Sequence, residues 1–190
     1  MNKIKNPIFA VFIIIVIVQL SIPASIVFRG ERIIANGKEF KFKTAPVDPN
    51  DPFRGKYIAL RYSANRYTVY NTAIWERNKP VYVILTTDTE GFAKISDITS
   101  YPPDENTDFV KASIDYINAD SITTTLIIRY PFDRYYMEET KSLEAENIYR
   151  ESLSDTSKNT YALVNVKNGA AVLKAVMINE ISIKDLIKKK

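Results

Sequence analysis

Residues 7–28 constrain this chain more than any other stretch. They read PIFAVFIIIVIVQLSIPASIVF, without one charged side chain. As a helix they extend about 33 Å, enough to cross the hydrocarbon core of a bilayer. Such a run near the start of a chain predicts a membrane anchor, with the lipid bilayer as its first partner. The competing reading is a cleaved signal peptide. A cut after Ala24 would put Ile22 where a small residue is wanted, so the retained anchor is the better reading. Lys3 and Lys5 precede the run, while Arg29, Arg32, Lys38, Lys41 and Lys43 follow it. That count alone does not place the N-terminus inside. The signal-anchor layout does: a single pass through a membrane, N-terminus inside, domain outside. Arg29 follows with no spacer, which predicts a domain lying close to the bilayer.

About 160 residues remain, which suits one domain with a sizeable core. The division read from the sequence is an anchor over 1–28, a β domain over 29–187 and a basic tail over 188–190. The domain is rich in Val, Ile, Thr and Tyr, the residues that favour strands. The chain has no cysteine and no histidine. Disulfides, thiolate chemistry and zinc–thiolate sites are therefore excluded, and so are Ser-His-Asp and Cys-His arrangements. The net charge of +4 is spread along the chain without a basic stripe, which argues against nucleic acid as a partner. No residue pattern calls for a cofactor or a metal centre.

The domain is organised around TAPVDPNDPFRGKYIALRY, Thr44 to Tyr62. Pro46, Pro49 and Pro52 each fix φ and push the preceding residue toward extended geometry, so no helix survives there. Asp48, Asn50 and Asp51 can bond backbone N–H groups in turns. They are also the oxygen ligands a hard cation prefers, though the prolines break the spacing of a calcium loop. Gly55 permits a positive φ. From Lys56 the pattern alternates: Ile58, Leu60 and Tyr62 on one face, Tyr57, Ala59 and Arg61 on the other. The expectation is a rigid elbow feeding a half-buried strand.

RGKYIALRY resembles the signature of the GDYXXLXY family of bacterial membrane-anchored proteins. Gly55, Tyr57, Leu60 and Tyr62 match it at its spacing. Lys56 stands where the family has an acidic residue. The stretches PVYVILTTDTEGFAKI and YPFDRYYMEE, Tyr130 to Glu139, are also similar to the family. The resemblance implies an exported, anchored domain of unknown biochemical activity, often found beside polytopic membrane proteins. It implies such a protein as partner and the cell envelope as location.

Further along, Arg32 to Phe42 reads as a hairpin about Asn36-Gly37, and Asn168-Gly169 as a second one. Asp88 to Gly91 reads as a turn between strands. Trp75 is expected in the core. Val110, Ala112, Ile114 and Tyr116 are expected inward on one strand. Ala145, Ile148, Tyr149 and Leu153 form one stripe of a helix over Lys141–Leu153. About ten short strands and one helix predict a mainly β (α+β) fold, a barrel or a sandwich.

Chemistry without His or Cys falls to carboxylates, Lys, Ser or Tyr. The densest acids are Asp133, Glu138, Glu139 and Glu144, with Glu146 beyond them. Paired carboxylates could hydrolyse a glycoside, which would show as raised carboxyl pKa values in a pocket. The plainer reading pairs them with Arg134 or leaves them on the wet face of the helix. A Ser–Lys dyad lacks a serine in the right place. The stronger expectation is a non-catalytic accessory or interaction subunit. Its surface would be Arg54, Gly55, Lys56, Tyr57, Leu60, Arg61 and Tyr62, with Arg66 nearby, because Tyr and Arg carry interface energy. A carboxylate-dependent hydrolase and a ligand- or cation-binding domain stand as alternatives.

Overall fold

A computed structural model describes residues 7–45, 57–70, 75–104, 106–120, 123–155 and 157–188. The elbow prolines, Asp48, Asn50, Asp51, Arg54, Gly55 and Lys56 lie outside the described residues.

Helix α1 (Pro7–Asn36) contains the whole uncharged run and continues past it. The expected hairpin at Asn36-Gly37 is therefore corrected. Residues 29–36 contain no proline to stop a helix, and Ile33 gains burial, at 7% exposure, where α1 meets the sheet. The helix ends at Gly37, whose N–H donates to Ile33 O at 2.8 Å. A Cβ at Gly37 would sit 2.4 Å from Ile33 O and 3.0 Å from Val166 O. Here glycine serves close approach rather than a turn. Residues 29–36 form a helical stalk about 12 Å long between the uncharged run and the sheet.

Two five-stranded antiparallel sheets and a two-stranded ribbon follow. The first sheet contains β1 (Lys38–Ala45), β3 (Arg61–Tyr62), β10 (Thr160–Lys167), β11 (Ala170–Ile178) and β12 (Ile181–Ser182), in the order β12-β11-β10-β1-β3. The second contains β4 (Arg66–Val69), β5 (Pro80–Thr87), β6 (Ala93–Thr99), β7 (Phe109–Ala119) and β8 (Thr124–Arg129), in the order β4-β8-β7-β5-β6. The ribbon pairs β2 (Tyr57–Ala59) with β9 (Arg134–Tyr136). The second sheet curls until its edges meet: the Tyr67 hydroxyl on β4 donates to Ser96 O on β6 at 3.1 Å. The result is a nearly closed, barrel-like β fold. Isolated bridges from Lys41 to Phe92 and from Val110 to Gly169 join the two sheets.

Alternation decides which side chains enter the core. Phe40 and Phe42 on β1 are buried while Lys43 is exposed. Burying each such ring contributes about 1.5–3 kcal/mol. Asn168-Gly169 makes the expected two-residue turn, with φ of 49° and 79°. Asp88 turns the β5–β6 connection by accepting from the Glu90 and Phe92 N–H groups at 2.9 and 2.8 Å. Trp75 packs on the core.

Tyr116 is a correction. A bulge between Ile114 and Tyr116 in the β7–β8 register shifts the alternation by one residue. Tyr116 consequently points out, and Ile117 takes up the packing. The soluble helix α2 (Glu139–Ser154) buries Ser142, Ala145, Tyr149 and Ser152, so its inner face is rotated from the expected stripe. Ile148 and Leu153 remain at its margin. The buried Ser152 hydroxyl donates to Tyr149 O at 2.7 Å and accepts from Thr160 at 3.0 Å. A last helix, α3 (Ile183–Lys188), seals the core with Ile183 and Ile187.

Candidate functional site

The signature strand and the YPFDRYYMEE stretch, 68 positions apart at their nearest, meet in the β2–β9 ribbon. Tyr57 pairs with Tyr136, Ile58 with Tyr135 and Ala59 with Arg134. Behind the ribbon, Leu60 N–H donates to Asp133 O at 2.8 Å. Tyr62 and Tyr130 add two more bonds across the same seam, to Phe132 O and to Ala64 O, each at 2.6 Å. Burial pushes both phenols well above their ordinary value of 10. Around Phe42 the rings of Tyr62, Tyr130 and Phe132 stand at centroid distances of 5.3, 5.3 and 5.0 Å, all edge-on. This cluster fixes the ribbon on the sheets.

Leu60 and Tyr62, expected to touch a partner, are 4% and 2% exposed. That expectation is corrected: they are core residues that hold the signature strand. Of the proposed interaction residues, Tyr57 and Arg61 remain on the surface among the described ones. Tyr57 does not stand alone. Its ring lies 5.5 Å from that of Tyr136, and the Arg134 guanidinium sits 4.8 Å over it. Tyr136 is 62% exposed. The outer face of the ribbon is thus an aromatic and cationic patch. Its partner half, Arg134 and Tyr136, is missed by sequence reasoning because pairing between distant strands has no local signal.

Beside the patch opens a cleft of about 390 Å³. Tyr57, Arg61, Asn65, Asp115, Arg129 and Arg134 are among its walls, with Asp133. The β7 bulge aims Asp115 into this region. Its carboxylate pairs with Arg129, and its backbone carbonyl accepts from Arg77 Nε at 2.7 Å. Arg129 also donates to Asn78 Oδ1 at 3.1 Å. Arg134 and Asp133 stand 3.9 Å apart. Arg61 makes no ion pair among the described residues.

The four candidate acids are not brought to one place. Of them, only Asp133 lines the cleft. Glu138 precedes α2 and bonds Lys141 at 2.7 Å; that bond holds its carboxyl below the usual range, the opposite of a general acid. Glu139 and Glu144 lie on α2, and the neighbouring Glu146 faces Arg150 at 3.6 Å. Among the described residues, no group of three acidic side chains could hold a metal ion.

A family model described as "GDYXXLXY protein" matches residues 19–176. The chain belongs to the GDYXXLXY family. The matched span runs from inside α1 to β11, so it takes in both halves of the ribbon. No curated protein and no solved structure matches the chain. Within the family signature, Gly55 and Lys56 lie outside the described residues, while Tyr57, Leu60 and Tyr62 occupy the ribbon and its root.

Proposed function

We propose that this GDYXXLXY protein is a non-catalytic accessory subunit, anchored by α1 in the bacterial cytoplasmic membrane with its N-terminus inside. The β domain lies outside and binds a polytopic membrane protein. One observation carries the reading: the exposed face of the β2–β9 ribbon stacks Tyr57, Arg134 and Tyr136 into one patch. Exposed Tyr and Arg side chains are the usual anchors of protein interfaces. α1 supports the location, since no side chain over residues 8–28 is buried. The lowered Glu138 carboxyl works against the hydrolase alternative.

The cleft favours a second reading, a small anionic ligand. Arg61 lines it and makes no ion pair among the described residues, and guanidinium groups match carboxylate and phosphate oxygens.

The test is co-purification of the full-length protein from membranes in mild detergent. A polytopic protein recovered in fixed ratio, and lost with Arg134→Ala combined with Tyr136→Ala while thermal unfolding is unchanged, is the expected result. Wild-type protein that purifies alone removes the accessory reading and moves attention to the cleft.

A further inference from the structure

Polar groups with no partner lie halfway along α1. Gln19 is within about 3 Å of the midpoint of the uncharged run, measured along the axis. Its side chain is exposed, and its amide makes no hydrogen bond among the described residues. The two serines of the run differ. Ser21 donates to Val18 O at 2.8 Å and Ser25 to Ile22 O at 2.7 Å, so each is satisfied inside its own helix. Gln19 has a further deficit. Pro23 stands four residues on, inside the helix, and has no N–H to offer the Gln19 carbonyl. Two acceptors and an NH₂ donor therefore converge at one depth. In hydrocarbon no water supplies their partners, and each unsatisfied group is costly.

We infer that Gln19 is the contact through which α1 packs on a transmembrane helix of the polytopic partner. That helix presents a hydroxyl or amide side chain at the same depth; the inference rests on the accessory reading above. The direction of the face selects the partner over a second copy of this chain. Ile33, the α1 residue buried against β10 and β11, follows Gln19 by fourteen positions. At about 100° per residue the two side chains point within about 40° of each other. The β domain thus overhangs the Gln19 face. Two copies joined symmetrically through Gln19 would drive their domains together. A polytopic protein fits beneath one domain, and the patch of Tyr57, Arg134 and Tyr136 is left to meet its outer loops.

The experiment uses full-length protein in native membranes. A photo-cross-linking residue replaces Phe12 or Ile26, each seven positions from Gln19 on its face, or Ile17 on the opposite face. Phe12 and Ile26 should cross-link to a polytopic protein and Ile17 should not. Gln19→Leu should lower recovery of that protein about five- to tenfold in detergent, as expected for one or two interhelical hydrogen bonds. The Leu variant keeps the span apolar, so its domain should unfold at the wild-type temperature. Undiminished recovery with Gln19→Leu overturns the inference and leaves the accessory reading standing. Cross-links from Phe12 or Ile26 only to a second copy of the chain also overturn it. Wild-type protein without any partner overturns both.

Discussion

The Tyr62 hydroxyl donates a 2.6 Å hydrogen bond to the backbone carbonyl of Phe132, seventy positions away in the chain. The bond ties β3 of the first sheet to the segment that leaves the second sheet. Tyr135 offers a contrast three residues later. Its hydroxyl is buried without a partner among the described residues. Tyr62→Phe should lower stability by about 1–3 kcal/mol, because it strands a buried carbonyl. Tyr135→Phe should cost nothing measurable or stabilise slightly. Urea unfolding of the two variants side by side checks the pair, and equal losses would refute the assignment.

Two glycines with nearly the same φ should respond differently to alanine. Gly91 has φ 84° and open space where a Cβ would lie. Gly169 has φ 79°, and a Cβ there would stand 2.5 Å from Cε2 of Phe109. Gly91→Ala should cost about 1–2 kcal/mol, the strain of the left-handed conformation alone. Gly169→Ala adds repacking of a ring and should cost about 2–4 kcal/mol. The shift in the urea midpoint measures both.

Alkali should weaken the fold through Tyr62 and Tyr130. Burial raises both phenols above 10, while in the unfolded chain they ionise near 10. Above that pH the unfolded state has released protons the native state still holds. This contribution is therefore complete below about pH 10 and is lost as pH climbs toward the folded values. The slope of unfolding free energy against pH above about 10 should be shallower in Tyr130→Phe than in the wild type. An identical slope would show that Tyr130 is already ionised in the native protein.

The stalk depends on Asn165. This buried residue of β10 donates from Nδ2 to Ile34 O at 3.1 Å and more weakly to Gly37 O at 3.4 Å. It satisfies carbonyls that the end of α1 leaves open. Asn165→Asp replaces the donor with a charge that the negative helix end repels. Backbone amides of residues 33–37 should then exchange at least tenfold faster, with the sheet amides unchanged. Uniform acceleration across the domain would mean that Asn165 stabilises the whole fold and not the joint.

Much of this architecture is legible in the chain because strands have a period of two. The alternation at Phe40 and Phe42, and at Ile58, Leu60 and Tyr62, names core residues directly. Asn168-Gly169 names its own turn. Asn36-Gly37 carries the same two letters and means something else, since the close approach of Val166 O decides its role and no local pattern encodes that. Tyr116 fails for a related reason: a single-residue bulge is a property of two strands in register. The candidate site is harder still. Half of the ribbon is visible in the signature, but Arg134 and Tyr136 become its other half only through long-range pairing. Asp115 comes to the cleft through the bulge and there meets Arg129.

Helix α1 passes from the apolar run into Ile33 and Gly37 without a hinge, and this sets a phase relation. Whatever grips the upper turns of α1 also sets the compass bearing of the cleft and the ribbon. One residue inserted between Phe28 and Ile33 would swing them through about 100° while lifting them only about 1.5 Å. Seven would return them nearly to their first bearing, about 10 Å higher. The linkage between the apolar run and the domain behaves as a keyed shaft, in which angle matters more than height.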